Sequence, residues 1–275
     1  MGKVLTKREM EIIEKKLRGV SLTQNESNIL SKYIRPKLRE MQKIRPDTIL
    51  KRIDYNQKAL PTEKKIKKIV LWKIPKADSI TICGSAIQNN YEKYNDIDLI
   101  IATKSTIKNK EKIKLTKEIE EEGKKEGLKL DVQIYSKISI LKEYPHNPSL
   151  IYQLKDSKVI YGSLKVPAKI SLSNLDLRMK LDWSEADSGS KSEEIYYAIR
   201  NALLVSLILN KKVDNYELKN ALINLLGENL ANKLKNNSAS STERKLALKY
   251  LGLMLKYLEE ELKKSKWEKI EIESP

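Results

Sequence analysis

The sequence predicts an α+β protein, with a small mixed β-sheet core flanked by helices, a helical N-terminal domain before it and a C-terminal helical bundle after it. Three observations lead there. Short apolar and β-branched runs, too brief for core helices, cluster between residues 79 and 162. A charged segment of helical period separates the second of these runs from the third. Outside that window apolar residues recur at spacings of three and four, the period of a helix face.

Residues 6–18 place Met10, Ile13 and Leu17 on one helical face, with Gly19 as the stop. Thr23 and Glu26 then have the spacing of a capping box, and Ile29, Leu30 and Ile34 carry an apolar stripe to Pro36, which should kink or divide the helix. The two helices would make a helix-turn-helix-like unit. Lys32, Arg35, Lys37, Arg39, Lys43 and Arg45 decorate it, either presented to phosphates or simply facing water. Residues 61–74 read as a further Lys-rich helix.

Residues 79–83, 97–102 and 129–135 read as strands, with a helix over 108–126 and a fourth strand at 159–161 ending at Gly162. After Pro167 the pattern is helical to the end. Ser190 with Glu193, and Ser240 with Glu243, have capping-box spacing, and Asp214 is an N-cap. Leucines at 218, 222, 225 and 226, and at 248, 251, 255, 258 and 262, form stripes that need partner helices. The expected domains are therefore a basic helical domain at 1–76, an α/β catalytic domain at 77–166 and a helical bundle at 167–275.

Composition narrows the chemistry. Cys83 and His146 are the single cysteine and histidine, which excludes an internal disulfide framework, a cysteine zinc cluster and a histidine-rich metal site. Catalysis is left to carboxylates, hydroxyls or lysines. No run approaches the roughly 20 apolar residues of a membrane-spanning helix, and the charged start lacks a secretory signal, so a cytoplasmic location is expected. Residues 1–76 hold 21 Lys and Arg against 8 Asp and Glu, a net +13 out of +17 for the whole chain. Such a concentrated field favours a polyanionic partner such as RNA.

The sharpest pattern lies between residues 84 and 131. The apolar run Ile80-Thr81-Ile82-Cys83 ends in Gly84-Ser85, and ten residues later Asp96-Ile97-Asp98 opens the apolar run Leu99-Ile100-Ile101. Residues two apart on a strand share a face, so Asp96 and Asp98 point together while Ile97 and Leu99 enter the core. Two adjacent carboxylates repel unless a cation lies between them, and Mg2+, which takes oxygen ligands and substrate phosphates, suits the pair. In 128–134 the apolar residues alternate, so Asp131 emerges opposite Leu130 and Val132 and can join the others if this strand lies beside the second. Three such carboxylates could hold two metal ions across an in-line phosphoryl displacement. Gly84 allows close backbone approach, and the Ser85 hydroxyl with nearby amides can cradle phosphates.

Strand, Gly-Ser, ten residues, Asp-x-Asp, strand and a later Asp in an alternating strand: this pattern over residues 79–135 resembles the DNA polymerase β-like nucleotidyltransferase superfamily, in particular its minimal and kanamycin nucleotidyltransferase types. The resemblance implies a nucleotidyltransferase fold in which Gly84 and Ser85 contact NTP phosphates, Asp96 and Asp98 bind two Mg2+ ions, and Asp131 completes the catalytic and metal site. The implied reaction moves an NMP from an NTP to an acceptor hydroxyl and releases pyrophosphate. Where many minimal members continue with a small residue, Arg and Gly, this chain has Ala86-Ile87-Gln88-Asn89-Asn90. The C-terminal helices lack the Arg and His element of HEPN ribonucleases, because no histidine follows Arg200. The basic N-terminal region favours an RNA acceptor such as tRNA. The alternatives are nucleotidylation of a protein or small molecule, as in antitoxin-like or antibiotic-modifying members, or a non-catalytic nucleic-acid-binding module.

Overall fold

The computed structural model describes residues 5–17, 20–43, 56–264 and 269–273, and the chain divides into two compact units, 1–55 and 56–275. Gly19 and Arg45 lie outside the described residues.

The first unit comprises α1 (Lys7–Leu17), α2 (Gln24–Ile29), one π-helical turn (Leu30–Ile34) and α3 (Arg35–Lys43). The capping box forms: the Thr23 amide donates to Glu26 Oε2 at 2.9 Å and the Glu26 amide to Thr23 Oγ1 at 3.3 Å. Pro36 does not end the helix. A proline ring collides with the carbonyl four residues back, and the wider π turn just before it is a usual way to accommodate that conflict. Ile12 and Ile34 are buried, and Lys37 of α3 bonds the nearly buried Glu9 of α1 at 2.7 Å.

The second unit opens with α4 (Ala59–Lys73) and continues as β1 (Ala77–Cys83), the short α5 (Gly84–Gln88), β2 (Ile97–Thr103), α6 (Asn109–Lys125) and β3 (Leu130–Ser136). Then come α7 (Lys137–Glu143), α8 (Pro148–Lys155) and β4 (Lys158–Gly162). The four strands form one mixed sheet in the order β3-β2-β1-β4, parallel only between β2 and β3. This is the small mixed sheet that the sequence predicts.

Strand alternation sorts the sheet's two faces. Ile80, Ile82, Ile97, Leu99, Ile101, Val132 and Ile134 pack with Ile66, Ile69 and Val70 of α4 and Ile119 of α6. Each such fully buried chain contributes about 1.5–3 kcal/mol. α4 thus packs on the sheet, and by contacts the chain divides between Tyr55 and Asn56.

The other face carries Cys83 and Ile100, which belong to one core with the C-terminal helices. These are α9 (Asn174–Asp182), α10 (Ser192–Leu209), α11 (Asn215–Leu226), α12 (Glu228–Lys235) and α13 (Ser241–Lys264). Leu218, Leu222, Leu251, Leu258 and Leu262 are all buried there. Asp214 caps α11 by accepting from the Tyr216 and Glu217 amides, and Ser240 and Glu243 form the expected box before α13.

Two expectations for this region need correction. The chain is not helical throughout after Pro167, because β5 (Lys169–Leu172) and β6 (Ile270–Glu273) pair antiparallel and bury Ile170, Leu172, Ile270 and Ile272 against the bundle. The start of α10 is one residue later than the Ser190 and Glu193 spacing suggests. Glu194 accepts from the Lys191 amide at 2.7 Å, while Ser190 closes a turn on Asp187. Among the described residues no helix is long and apolar enough to cross a membrane.

Candidate active site

β1, β2 and β3 lie side by side, so residues far apart in sequence meet at one end of the sheet. Cys83, the last residue of β1, pairs with Asp98, and Asp98 pairs across the parallel ladder with Asp131. Their burial follows from alternation: Ile97 and Leu99 are 0% and 1% exposed, while Asp98 between them projects to the opposite side and is partly exposed. Asp131 is exposed between buried Leu130 and Val132.

Gly84 follows at the end of β1 with φ 69°, and a Cβ built there would stand 1.9 Å from Asp98 Oδ2. Only glycine allows that approach. Ser85 and the next residues form α5, whose Ala86 and Ile87 are buried.

The electrostatics record how closely the carboxylates gather. Burial first, then the charges of Asp96 and Asp131, push the Asp98 carboxyl up to about 6. Asp131 is raised by burial and then by Asp96. Asp96 itself lies just before β2, and the Lys129 ammonium stands 3.7 Å from its Oδ2. Asp98 and Asp131 are therefore direct strand neighbours, and Asp96 is close enough to act on both. Among the described residues no set of three His, Cys, Asp or Glu side chains is gathered tightly enough to enclose a metal ion. The donors are nonetheless all hard oxygens, and their mutual repulsion adds to burial in raising the Asp98 and Asp131 carboxyls. That chemistry fits Mg2+, which keeps waters and substrate phosphates rather than needing an all-protein cage.

Motif spacing alone missed several residues. Arg200 of α10 and Lys235 at the end of α12 both act on Asp98, drawing its carboxyl downward. Lys180 of α9 is pushed down to about 8, first by burial and then by Arg200. Tyr197, one turn before Arg200, feels Asp96 and stacks edge-on with Tyr196 at 5.4 Å. The charges of Arg200 and Lys235 in the bundle thus act on Asp98. No local signal in a helix of ordinary composition announces this, because it depends on how the bundle docks on the sheet.

The family described as "Nucleotidyltransferase domain" matches residues 63–161, from α4 to β4. No curated protein matches the chain. Among solved structures, the chain is similar to spectinomycin adenyltransferase from Enterococcus faecialis with ATP and spectinomycin. That match has 16% identity, covers 74% of this chain and 99% of that one, and has a TM-score of 0.47. It is also similar to a chain from the complex of tri-AMPylated Shewanella oneidensis HEPN toxin with MNT antitoxin, at 21% identity over 38% of this chain and 73% of that one, with a TM-score of 0.27. A toxin–antitoxin structure with AMP-PNP gives 22% identity, 37% and 73% coverage, and a TM-score of 0.28.

Proposed function

We propose that the chain, whose residues 63–161 match the nucleotidyltransferase domain family, is a magnesium-dependent enzyme moving an NMP from an NTP to an RNA hydroxyl. The observation that carries this reading is the register that sets Asp98 beside Asp131, with Gly84 against Asp98.

Asp96, Asp98 and Asp131 would hold two Mg2+ ions, which when bound offset triphosphate charge and stabilise the attacking and leaving oxygens. Gly84 offers its backbone to the phosphates at close range, and Ser85 offers its hydroxyl. Asp131, the most exposed carboxylate of the three, is placed to take the proton of the attacking hydroxyl. Arg200 and Lys235 would face the negative charge of the triphosphate from the bundle side.

RNA is the acceptor we favour because the excess positive charge lies in residues 1–76. In the first unit Lys32, Arg35 and Arg39 are exposed and make no ion pair with a described residue. The domain division that goes with this reading is a basic helical region over 1–76, a catalytic domain over 77–166 and an acceptor-shaping bundle over 167–275.

The test is incubation with each of the four NTPs, Mg2+ and, separately, total RNA or total cell protein, alongside Asp96→Ala and Asp131→Ala. NMP added to RNA by the wild type and by neither variant supports the proposal. NMP added only to protein would overturn the RNA acceptor while leaving nucleotidyl transfer in place.

A further inference from the structure

Ser85 and Asp96 both lie beyond the paired residues of β1 and β2, so the sheet register does not fix their separation. The loop 89–95 does, and its conformation is not one its sequence adopts freely. α5 ends in a Schellman arrangement, with the Tyr91 amide donating to the Ala86 carbonyl at 2.7 Å and the Asn90 amide to the Ile87 carbonyl at 3.1 Å. That motif explains Asn90, whose φ of 48° is left-handed and tolerable for asparagine. It does not explain Tyr91, whose φ is 60°. A bulky residue there costs about 1–3 kcal/mol unless its surroundings impose the conformation.

Here the surroundings impose it. The Tyr91 ring is 3% exposed and meets Tyr94 edge-on at 6.4 Å. Its hydroxyl donates to Glu63 Oε1 at 2.7 Å, and Lys158 Nζ donates to the same oxygen, also at 2.7 Å. Glu63 is itself buried, so α4, β4 and the loop are tied at one carboxylate. Asn56 donates from its side chain to the Asn90 carbonyl, and the Asn89 amide group bridges the Ser85 and Lys93 carbonyls at 3.0 and 2.9 Å.

We propose that Tyr91 and Glu63 are positioning residues for nucleotidyl transfer: their hydroxyl–carboxylate bond holds Asn90 and Tyr91 of loop 89–95 in the left-handed region and so fixes Ser85 relative to Asp96. The inference rests on the function proposed above. The pair acts through the loop, and misplacement of reacting groups by about 1 Å can lower a rate about a hundredfold.

Mn2+ serves as the probe, with its binding to the full chain followed by electron paramagnetic resonance with and without ATP. If the loop sets the spacing of phosphate cradle and carboxylates, ATP tightens Mn2+ binding in the wild type. Tyr91→Phe keeps the ring and should lower that tightening about tenfold, while Mn2+ affinity without ATP changes less than about twofold. Glu63→Gln keeps an acceptor oxygen and should retain most of the tightening. Glu63→Ala should match Tyr91→Phe, and the double variant Tyr91→Phe/Glu63→Ala should be no worse than either single change. Amide exchange over residues 86–95 should quicken in Tyr91→Phe. Wild-type tightening in Tyr91→Phe would overturn the inference, as would an equal loss of Mn2+ binding with and without ATP, the mark of a merely structural contact. A wild type that binds no Mn2+ even with ATP would overturn the proposed function together with it.

Discussion

Gly84 and Asp98 meet so closely that a side chain on the first would occupy the place of the second's carboxylate, with 1.9 Å between the added Cβ and Oδ2. Gly84→Ala therefore carries two costs, a left-handed φ of 69° and a displaced Asp98. We expect about 1–3 kcal/mol lower stability and a loss of activity of about a hundredfold or more. Urea unfolding and initial rates measured on the same preparation check both. Unchanged activity would mean that the Asp98 carboxylate plays no part in the reaction.

Lys180 links the bundle's electrostatics to pH. Its pKa when folded, pushed down to about 8 by burial and by Arg200, lies below the ordinary lysine value of 10.5. The folded state therefore resists protonation, a penalty fully present below pH 8 that fades as pH rises toward 10.5. Lys180→Gln should raise the melting temperature at pH 7 by roughly 2–4 °C, or about 1 kcal/mol after allowing for partial solvent access. The gain should largely vanish at pH 10. Thermal melts of both proteins at the two pH values decide it, and an equal gain at both would argue against a buried charge.

Arg200 bears on Asp98 and forms no ion pair with a described carboxylate. If it faces the triphosphate, Arg200→Gln should raise the KM for NTP about tenfold or more, the scale of one charge-assisted hydrogen bond. kcat should fall less. Steady-state kinetics at saturating Mg2+ separate the two, and an unchanged KM would remove Arg200 from the nucleotide site.

Much of this was legible in the sequence, and the reason is local. The strands around Ile82, Leu99 and Val132 combine period-two alternation with β-branched content, and Asp96, Asp98 and Asp131 stand at positions that alternation sends away from the core. Caps at Thr23, Asp214 and Ser240 are written within four residues of chain and formed as spaced. Long-range relationships were not legible. β5 and β6 are short, and each becomes a strand only because the other, about a hundred residues away, supplies its hydrogen bonds. The apolar side of α4 was legible as inward-packing, but not which face of the sheet it would meet. Arg200, Lys235 and the Tyr91–Glu63 bond depend on docking between elements, which no periodicity encodes.

The basic first unit makes a prediction of its own. Binding of total RNA should weaken linearly on a logarithmic plot against salt, and replacing Lys32, Arg35 and Arg39 by Gln should reduce the slope by about one for each lost phosphate contact. Filter binding between 50 and 200 mM salt, a range suited to such contacts, measures it. An unchanged slope would place the RNA contact elsewhere.

Transfer of a nucleotidyl group at the Asp96, Asp98 and Asp131 cluster sends the two ends of the triphosphate to different products. Its most direct measurement compares NTP labelled at the α-phosphate with NTP labelled at the γ-phosphate, in the presence of Mg2+ and cell extract. The α-label should become covalently attached to an acceptor while the γ-label leaves in pyrophosphate, and both events should cease with chelator or in Asp98→Asn. Covalent attachment of γ-label, or α-label transfer that persists in Asp98→Asn, would contradict it.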